Sequence, residues 1–328
     1  MIEALGGTYA VNLRWDPGSG NGHSGTAANP ITFEGYPGGP QAVFHSASLA
    51  GSEMFKVTGG ASFIRFKGFK VEADANLWSG TGHQPFYVSG AGGAHDIDIL
   101  ALDFAGNNHD ITAFLAGPGA THINLVGNRV HDWGTGATQR QGLYVQADSG
   151  MLANNVVDHL PYGFGIQVRA DTSTVKTCAL IVTDNTVVDI GGQRGIYVEN
   201  NCAGVRIRNN VSAFAGQEEL YGLYEAGADP PGSSNRAFSN LVWDSSGPYT
   251  GDSSGHQILD FRDGLGDYSG PGQNRVGDPL FVDRANRDYH LRSGSAAIGY
   301  ADPHYSFPTD FDGHARHAST PDAGAFEH

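Results

Sequence analysis

Short hydrophobic stretches alternate with polar residues along most of this chain, and glycine, asparagine or aspartate separates them. One pattern returns four times, as Asn-Arg-Val-His-Asp at 128–132, Asn-Asn-Val-Val-Asp at 154–158, Asn-Thr-Val-Val-Asp at 185–189 and Asn-Asn-Val-Ser-Ala at 209–213. A second pattern lies between these, as Gly-Leu-Tyr-Val at 142–145, Gly-Ile-Gln-Val at 165–168, Gly-Ile-Tyr-Val at 195–198 and Gly-Leu-Tyr-Glu at 222–225. Both patterns predict short strands with sharp bends, because helical periodicity is missing from them.

The spacing of the repeats predicts how these strands stack. Aligning the valines at 130, 156, 187 and 211 gives steps of 26, 31 and 24 residues. A self-similar period of roughly 20 to 50 residues is typical of a solenoid, in which each coil packs only on its neighbours. We therefore predict an all-β solenoid that forms one elongated domain from residue 1 to residue 328.

The two ends of the chain carry more specific strings. Gly-Thr-Tyr at 7–9 precedes Asn-Pro-Ile-Thr-Phe-Glu-Gly-Tyr-Pro-Gly at 29–38, and the last part contains Gly-Asp-Pro-Leu-Phe-Val-Asp at 277–283, Thr-Asp-Phe-Asp-Gly at 309–313 and Pro-Asp-Ala-Gly-Ala-Phe-Glu at 321–327. These strings resemble the opening coils and the closing segment of secreted bacterial right-handed parallel β-helix proteins of the polysaccharide lyase and C5-epimerase type. Gly299 departs from the aspartate that is common in that closing segment.

The resemblance implies a right-handed parallel β-helix, and the length and period predict roughly nine or ten coils. Residues 1–60 are expected to form N-terminal coils that lack the first coil and capping strand usual in that family, and residues 277–328 the closing segment. Residues 1–9 have neither the basic start nor the apolar core of a signal peptide. The expected location is nevertheless the cell surface or outside the cell.

Charge and cysteine content narrow the picture. The formal net charge is −15, from 34 acidic and 19 basic residues, and this disfavours nucleic acid as a partner. No apolar run approaches the roughly 20 residues that cross a bilayer. Cys178 and Cys202 each lie nine residues before an aligned valine, so stacking about 4.8 Å apart would allow a disulfide. Two buried thiols are the alternative.

Strand alternation places two rows of side chains on the outer face of one sheet. The first row is Tyr144, Gln167, Tyr197 and Tyr224, and the second is Gln146, Arg169 and Glu199. Such rows often only stabilise a sheet. Read as a binding groove, the tyrosines stack on sugars, while Arg169, with Arg140 and Arg194 nearby, attracts an anionic polysaccharide.

We assign roles for a lyase or a C5 epimerase acting on a uronate-containing polysaccharide, since both reactions remove the C5 proton beside a carboxylate. Arg169 or Arg194 is the neutraliser or base, Tyr197 is the proton donor and His131 is a reserve base. Tyr144 and Tyr224 are sugar platforms, and Gln146, Gln167 and Arg140 complete the groove.

Two other functions remain open at this point. A glycoside hydrolase would need two carboxyl groups about 5 to 9.5 Å apart, and Glu199 with Glu225 or Glu218 is the pair for that reaction. A non-catalytic glycan binder, such as an adhesin or a phage-tail-like β-helix, would use the same rows without reacting. Both a monomer and a trimer are compatible with the sequence.

A further acidic row follows the asparagine pattern at Asp132, Asp158 and Asp189. These carboxylates are expected either to cap turn N–H groups or to share a calcium ion, which favours oxygen ligands. His131 and His159 adjoin this row, and histidines beside carboxylates suggest zinc. The chain has no HExxH motif, so the sequence disfavours a zinc site here. Calcium is the only cofactor that the sequence leaves open.

Overall fold

The computed structural model describes residues 1–46, 53–73, 84–134, 140–170, 176–191, 194–198, 202–215, 218–222, 235–243, 257–261 and 274–328, with 218–222 and 257–261 described by their backbone alone. In these residues the chain repeats a cycle of three short strands, and strands of successive coils pair in parallel. The result is a right-handed parallel β-helix with three faces, which confirms the predicted fold class. That residues 1–328 form a single domain stays a prediction.

We name the three sheets A, B and C in the order in which the chain visits them, and the described strands number nine, ten and nine respectively. Sheet A contains Ile2–Ala4, Ile31–Gly35, Ser62–Lys67, His95–Leu100, Thr121–Val126, Ser149–Ala153, Ala179–Thr183, Arg206–Arg208 and Arg236–Phe238. Sheet B contains Gly7–Val11, Ala42–Ser46, Lys70–Glu72, Asp103–His109, Arg129–Trp133, Val156–Leu160, Thr186–Ile190, Val211–Ala213, Leu241–Trp243 and Arg275–Val276. Sheet C contains Leu13–Trp15, Phe55–Val57, Phe86–Val88, Phe114–Ala116, Arg140–Val145, Gly163–Val168, Arg194–Val198, Glu218–Gly222 and Gln257–Phe261.

The core is the interior of the coil, where alternate residues of all three sheets meet. Toward the N-terminus phenylalanines fill it, and their rings lie in contact from coil to coil, as in Phe55 and Phe86 with ring centres 5.2 Å apart. From Val130 onward aliphatic side chains such as Leu143, Val157 and Ile166 take over, each fully buried. Apolar burial of about 25 cal/mol per Å² stabilises such a stack coil by coil.

Buried asparagines mark the bend between sheet A and sheet B. Asn128 donates from its side-chain amide to Oδ1 of Asn155 over 2.9 Å, and Asn155 donates likewise to Asn185 over 2.9 Å. The row continues through Asn210, Asn240 and Asn274. Each amide also donates to a backbone carbonyl, for example that of Leu125, so the polar groups of this buried bend are satisfied.

The asparagine row corrects the predicted register. Val157, not Val156, pairs with Val130 and Val187, and Ser212, not Val211, follows in the same row. In the Asn-Asn pairs at 154–155 and 209–210 the second asparagine occupies the buried bend. Because side chains alternate between faces, this slip of one residue moves Asp158 out of the row that contains Asp132 and Asp189.

Residues 281–328, which we call the tail, lie on the outer face of sheet B. They begin with an antiparallel pair, Phe281–Asp283 with Asp288–Leu291, joined by a 3-10 turn at Arg284–Asn286. A second apolar cluster joins the outward residues Val156, Val188, Val211 and Leu241 to tail residues such as Tyr289. The tail therefore covers part of the outer face of sheet B. That residues 277–328 form a closing segment stays a prediction.

Cys178 and Cys202 form a disulfide with a Cα to Cα distance of 5.2 Å, which confirms the predicted pairing. The two residues are diagonal neighbours and not equivalent positions, because Lys176 pairs with Cys202 in the short parallel ladder between Lys176–Thr177 and Cys202–Ala203. Among the described residues no helix has the length and apolarity to span a membrane.

Candidate functional site

One row of side-chain positions runs along the outer face of sheet C, and it contains three of the predicted site residues, Tyr144, Gln167 and Tyr197. Successive strands align Arg14, Lys56, Tyr87, Leu115, Tyr144, Gln167, Tyr197, Tyr221 and Asp260. We call these nine positions the sheet C row. Parallel strands lie about 4.8 Å apart, so the positions form a regular track across the coils.

The row confirms the predicted alignment of Tyr144, Gln167 and Tyr197, but the fourth member was wrong. Tyr221 pairs with Tyr197, and Gly222 pairs with Val198. The fourth repeat therefore uses Leu-Tyr-Gly at 220–222 in place of Leu-Tyr-Glu at 223–225. Tyr224 and Glu225, together with the predicted Glu199, lie outside the described residues.

Packing explains why glycine opens the Gly-x-x-Val repeats at 142 and 165. A Cβ at Gly142 would lie 2.8 Å from Cγ1 of Val157, and one at Gly165 would lie 2.4 Å from Cγ1 of Val187. Both glycines lie within sheet C strands and face these core valines, so a larger residue would have to move the core. Packing against the core thus explains glycine at these two positions.

Tyr197 lies in a small cluster outside the main core. Its ring stacks on that of Phe164 with centres 4.8 Å apart, and the two residues are 6% and 5% exposed. The guanidinium carbon of Arg194 lies 5.0 Å from the centre of the Tyr197 ring and 5.9 Å from that of Phe164. This cation–π contact brings the predicted Arg194 and Tyr197 together.

The neighbouring positions are more accessible. Tyr144 and Gln146 are half-buried, and the Gln146 side-chain amide donates to the Tyr144 hydroxyl over 3.1 Å. Arg140 lies 3.4 Å from the carboxylate of Asp110. Gln167, in contrast, is only 3% exposed, so it faces neighbouring protein and not the open groove that the sequence suggested.

Arg169 follows the sheet C strand that ends at Val168. Its backbone N–H donates to the carbonyl of Val145, and that of Gln146 donates to the carbonyl of Ala116, so the ladder continues past the strand ends. Gln146 and Arg169 therefore lie on adjacent coils, as predicted. Arg169 is half-buried.

Sequence reasoning missed the N-terminal half of the sheet C row. Lys56 lies 5.2 Å above the centre of the Tyr87 ring, and both side chains are half-buried. The signal was present in Phe-Lys-Val at 55–57 and Phe-Tyr-Val at 86–88, which share the strand alternation of the repeats but lack the leading glycine.

His131 does not belong to this face. It lies on sheet B, where Nδ1 is 2.7 Å from Asp132 and Nε2 is 2.9 Å from Asp103. Burial works against the charged ring, but the hydrogen bonds with Asp103 and Asp132 outweigh it and raise the pKa of His131. The structure thus separates this predicted reserve base from Arg194 and Tyr197.

The tail supplies the counter-charges for the predicted acidic row. Arg287 donates to Asp132 over 2.6 and 2.8 Å, Arg284 pairs with Asp189, and the hydroxyl of Tyr289 donates to the fully buried Asp158 over 3.0 Å. Burial raises the pKa of Asp132, but the bonds from Arg287 and His131 outweigh it and hold that pKa at about 2. Burial and the Asp158 charge raise the pKa of Tyr289.

These contacts argue against a calcium ion shared by Asp132, Asp158 and Asp189. Asp158 is not in register with Asp132 and Asp189, and guanidinium groups already occupy the carboxylates of the latter two. The three residues therefore do not fit a shared calcium ion, and the cations beside them are arginines.

A separate group, Asp310, Asp312 and His314, brings its ligand atoms within 4.8 Å of one another. Asp310 accepts hydrogen bonds from the backbone of His314 and Glu327, and Asp312 bonds His290. These hydrogen bonds connect separate parts of the tail to one another.

Comparison with known proteins supports the fold. No protein-family model matches the chain, and a search of curated proteins finds no match. Among solved structures, the crystal structure of pectate lyase Pel9A is similar, with a TM-score of 0.50 and 17% sequence identity over 99% of this chain and 87% of that one. What the two proteins share is the fold. At this identity the likeness carries no residue roles from one chain to the other.

Proposed function

We propose that this protein is a secreted polysaccharide lyase that cleaves a uronate-containing chain on the outer face of sheet C. The observation that carries the proposal is the sheet C row, in which tyrosines and cations stand in register on successive coils. The likeness to a protein named as a pectate lyase adds support from the fold. The disulfide agrees with an oxidising location outside the cytosol.

Binding in this proposal divides between stacking and charge. Tyr87 and Tyr144 are half-buried, so they offer ring faces to sugar units at a spacing of about 4.8 Å per coil. Lys56 at one end of the row, and Arg140, Arg169 and Arg194 further along, attract carboxylates in a protein whose net charge is −15. Opposite charge concentrated on one face would guide an anionic chain to it.

The proposed reaction is a β-elimination. A base removes the C5 proton of a uronate, electrons form a C4–C5 double bond, the C4–O4 bond breaks, and the departing O4 receives a proton. Arg169 or Arg194 stabilises the charge that develops at the carboxylate, the remaining arginine is the candidate base, and Tyr197 is the proton donor. Because Tyr197 is only 6% exposed, it acts through its hydroxyl and not as a stacking platform.

An epimerase would use the same first step and return a proton to the other face of C5. The lyase is preferred here because the fold relative is named as a lyase. The hydrolase alternative depends on Glu199 and Glu225, and neither is among the described residues.

The test is a product assay on pectate, other uronate polymers and neutral polysaccharides. A lyase gives ultraviolet absorbance from an unsaturated product together with new reducing ends. Reducing ends without absorbance would replace the lyase with a hydrolase. Exchange of the C5 proton in deuterated water with no cleavage would indicate an epimerase, and no reaction on any polymer would leave only glycan binding.

A further inference from the structure

We propose that a cleft at the end of sheet B, bordered by the tail, is a second binding site that takes a neutral, hydroxyl-rich sugar unit. This tail cleft consists of two adjoining cavities of about 280 Å³ and 570 Å³. Both are lined by His159 and Asp189, so they lie side by side. Small-molecule sites usually measure roughly 300 to 1,000 Å³, and a sugar unit fits this range.

The backbone builds the cleft from one residue per coil. Its lining includes Asn108, Asp132, His159, Asp189 and Phe214, which have φ angles of 60°, 60°, 55°, 58° and 63°. Left-handed backbone is uncommon outside glycine, is best tolerated by Asn, Asp and His, and is a genuine outlier for a bulky residue such as phenylalanine. Repetition of this conformation on five coils directs a row of side chains into the same space.

The lining chemistry suits hydroxyl groups. Asn108 offers both a donor and an acceptor, and the imidazole of His159 is 37% exposed, with Nδ1 3.2 Å from Asp158 and 3.8 Å from Asp189. Pro161 adds apolar surface beside these polar groups, and Phe214 borders the same space with the guanidinium carbon of Arg284 3.4 Å from its ring centre. A few convergent polar groups next to apolar faces is the arrangement that orients a sugar ring.

Charge decides against a uronate in this cleft. Asp132, Asp158 and Asp189 lie in or beside it, and the guanidinium groups of Arg284 and Arg287 are already paired with Asp189 and Asp132. A ligand carboxylate would meet these acids with no uncommitted arginine in the cleft lining. The tail cleft therefore takes a neutral sugar, whereas the row on sheet C takes an anionic one.

Isothermal calorimetry with short oligomers tests this site without any reference to catalysis. The probes are tetrasaccharides of xylose, mannose and galactose, with tri-galacturonate as the anionic probe. We expect at least one neutral probe to bind with a dissociation constant on the order of millimolar. His159→Gly and Asn108→Gly should each weaken that binding about tenfold, since each removes a polar partner.

Both substitutions suit left-handed backbone, so the fold should persist. Asn107→Gly is the matched control, because Asn107 has a φ of 48° but its amide donates to the carbonyl of Ala73 and does not line the cleft. Its neutral-sugar affinity should equal that of the unmodified protein. Melting curves verify folding of all three variants.

The proposal fails if no neutral probe binds, if tri-galacturonate binds in the cleft more tightly than every neutral probe, or if both cleft variants bind unchanged. None of these outcomes alters the lyase proposal, because the assay on sheet C uses uronate polymers and other residues.

Discussion

The outer faces of sheet B and sheet C come from the same coils, but the tail packs on sheet B while sheet C keeps side chains in solvent. On sheet B the outward residues Val156, Val188 and Leu241 pack under the tail and are at most 2% exposed. On sheet C the outward row carries tyrosines and cations, and Tyr87 and Tyr144 keep part of their surface in solvent. A repeat fold thus closes one face for stability and keeps another for binding.

The difference is also electrostatic. On sheet B acids of the coils meet arginines of the tail, as in Asp132 with Arg287 and Asp189 with Arg284. On sheet C the row also has cation–aromatic contacts, as in Lys56 with Tyr87 and Arg194 with Tyr197. Substitutions on sheet B should therefore change stability, whereas substitutions on sheet C should change activity.

The largest expected effect is on Arg316 of the tail. Its guanidinium donates to the side chain of Asn154 over 2.9 Å and to the carbonyl of Gly324 over 2.6 Å, and its side chain is 2% exposed. Arg316→Ala leaves these buried acceptors unpaired, so urea unfolding should show a loss of about 3 to 5 kcal/mol. Arg292→Ala, at an exposed tail arginine, is the control and should cost under about 1 kcal/mol. Equal costs would mean that the tail is not anchored through Arg316.

The second prediction concerns Arg169, where we expect activity to fall and stability to stay the same. If the lyase proposal holds, Arg169→Ala should lower turnover by about 10² to 10³ fold, as loss of one transition-state charge stabiliser does, and should leave the melting temperature nearly unchanged. Arg65→Ala on sheet A is the matched control, because Arg65 pairs with Asp98 on an adjacent coil far from the row. A lower melting temperature with intact activity would make Arg169 a structural residue.

Much of this fold could be predicted from the sequence, since coil period, bend asparagines and the cysteine pair are local features. The register was wrong by one residue at 154–155 and 209–210, because both members of each Asn-Asn pair fit the pattern. Both members are buried, and only their partners distinguish them: Asn155 bonds Asn185 inside the stack, whereas Asn154 donates to the carbonyl of Thr309 in the tail. Val-Val at 156–157 and 187–188 breaks the alternation, as expected of a sheet covered on both faces, but the predicted register made no use of this feature.

The tail contacts could not be predicted. Tyr289 reaches Asp158 from 131 residues away, and Arg287 reaches Asp132 from 155 residues away. Periodicity describes neighbours one coil apart, so it contains no information on which arginine meets which acid. For the same reason the tail cleft, which needs both sheet B and the tail, is visible only in three dimensions.

The third prediction tests the link between two coils near sheet C. The Cys178–Cys202 bridge spans 24 residues of sequence, and the chain-entropy estimate for such a loop is roughly 3 kcal/mol. The double variant Cys178→Ser, Cys202→Ser should unfold at a correspondingly lower urea concentration. The unmodified protein, oxidised and then denatured, should contain no titratable thiol. Two titratable thiols, or an unchanged midpoint, would contradict the structure.

The smallest effect expected is the pH dependence of tail docking on sheet B, which depends on His131. Its ring faces Asp103 and Asp132 directly, with Asp158 and Arg287 nearby, and its pKa is raised in the folded protein. A raised pKa means that the charged ring stabilises the fold at pH values below the ordinary histidine value of about 6.5, and that this contribution disappears as the pH rises through the folded value. Asp132 works in the opposite direction, because its pKa falls from 3.8 to about 2, so its contribution is present above 3.8 and is lost toward pH 2.

Tail docking should therefore be most stable between about pH 4 and 6.5, and the melting temperature should fall as the pH rises above 6.5 through the raised pKa of His131. His131→Gln should reduce that fall without abolishing it, because His290 is also raised in pKa by Asp312 and Asp288 after the opposing effect of burial. His304→Gln is the control, since the His304 side chain is 85% exposed, and it should keep the full pH dependence. If His131→Gln melts with the same pH profile as the unmodified protein, the charge on His131 does not hold the tail, and the closed face of sheet B depends on its apolar contacts and arginines alone.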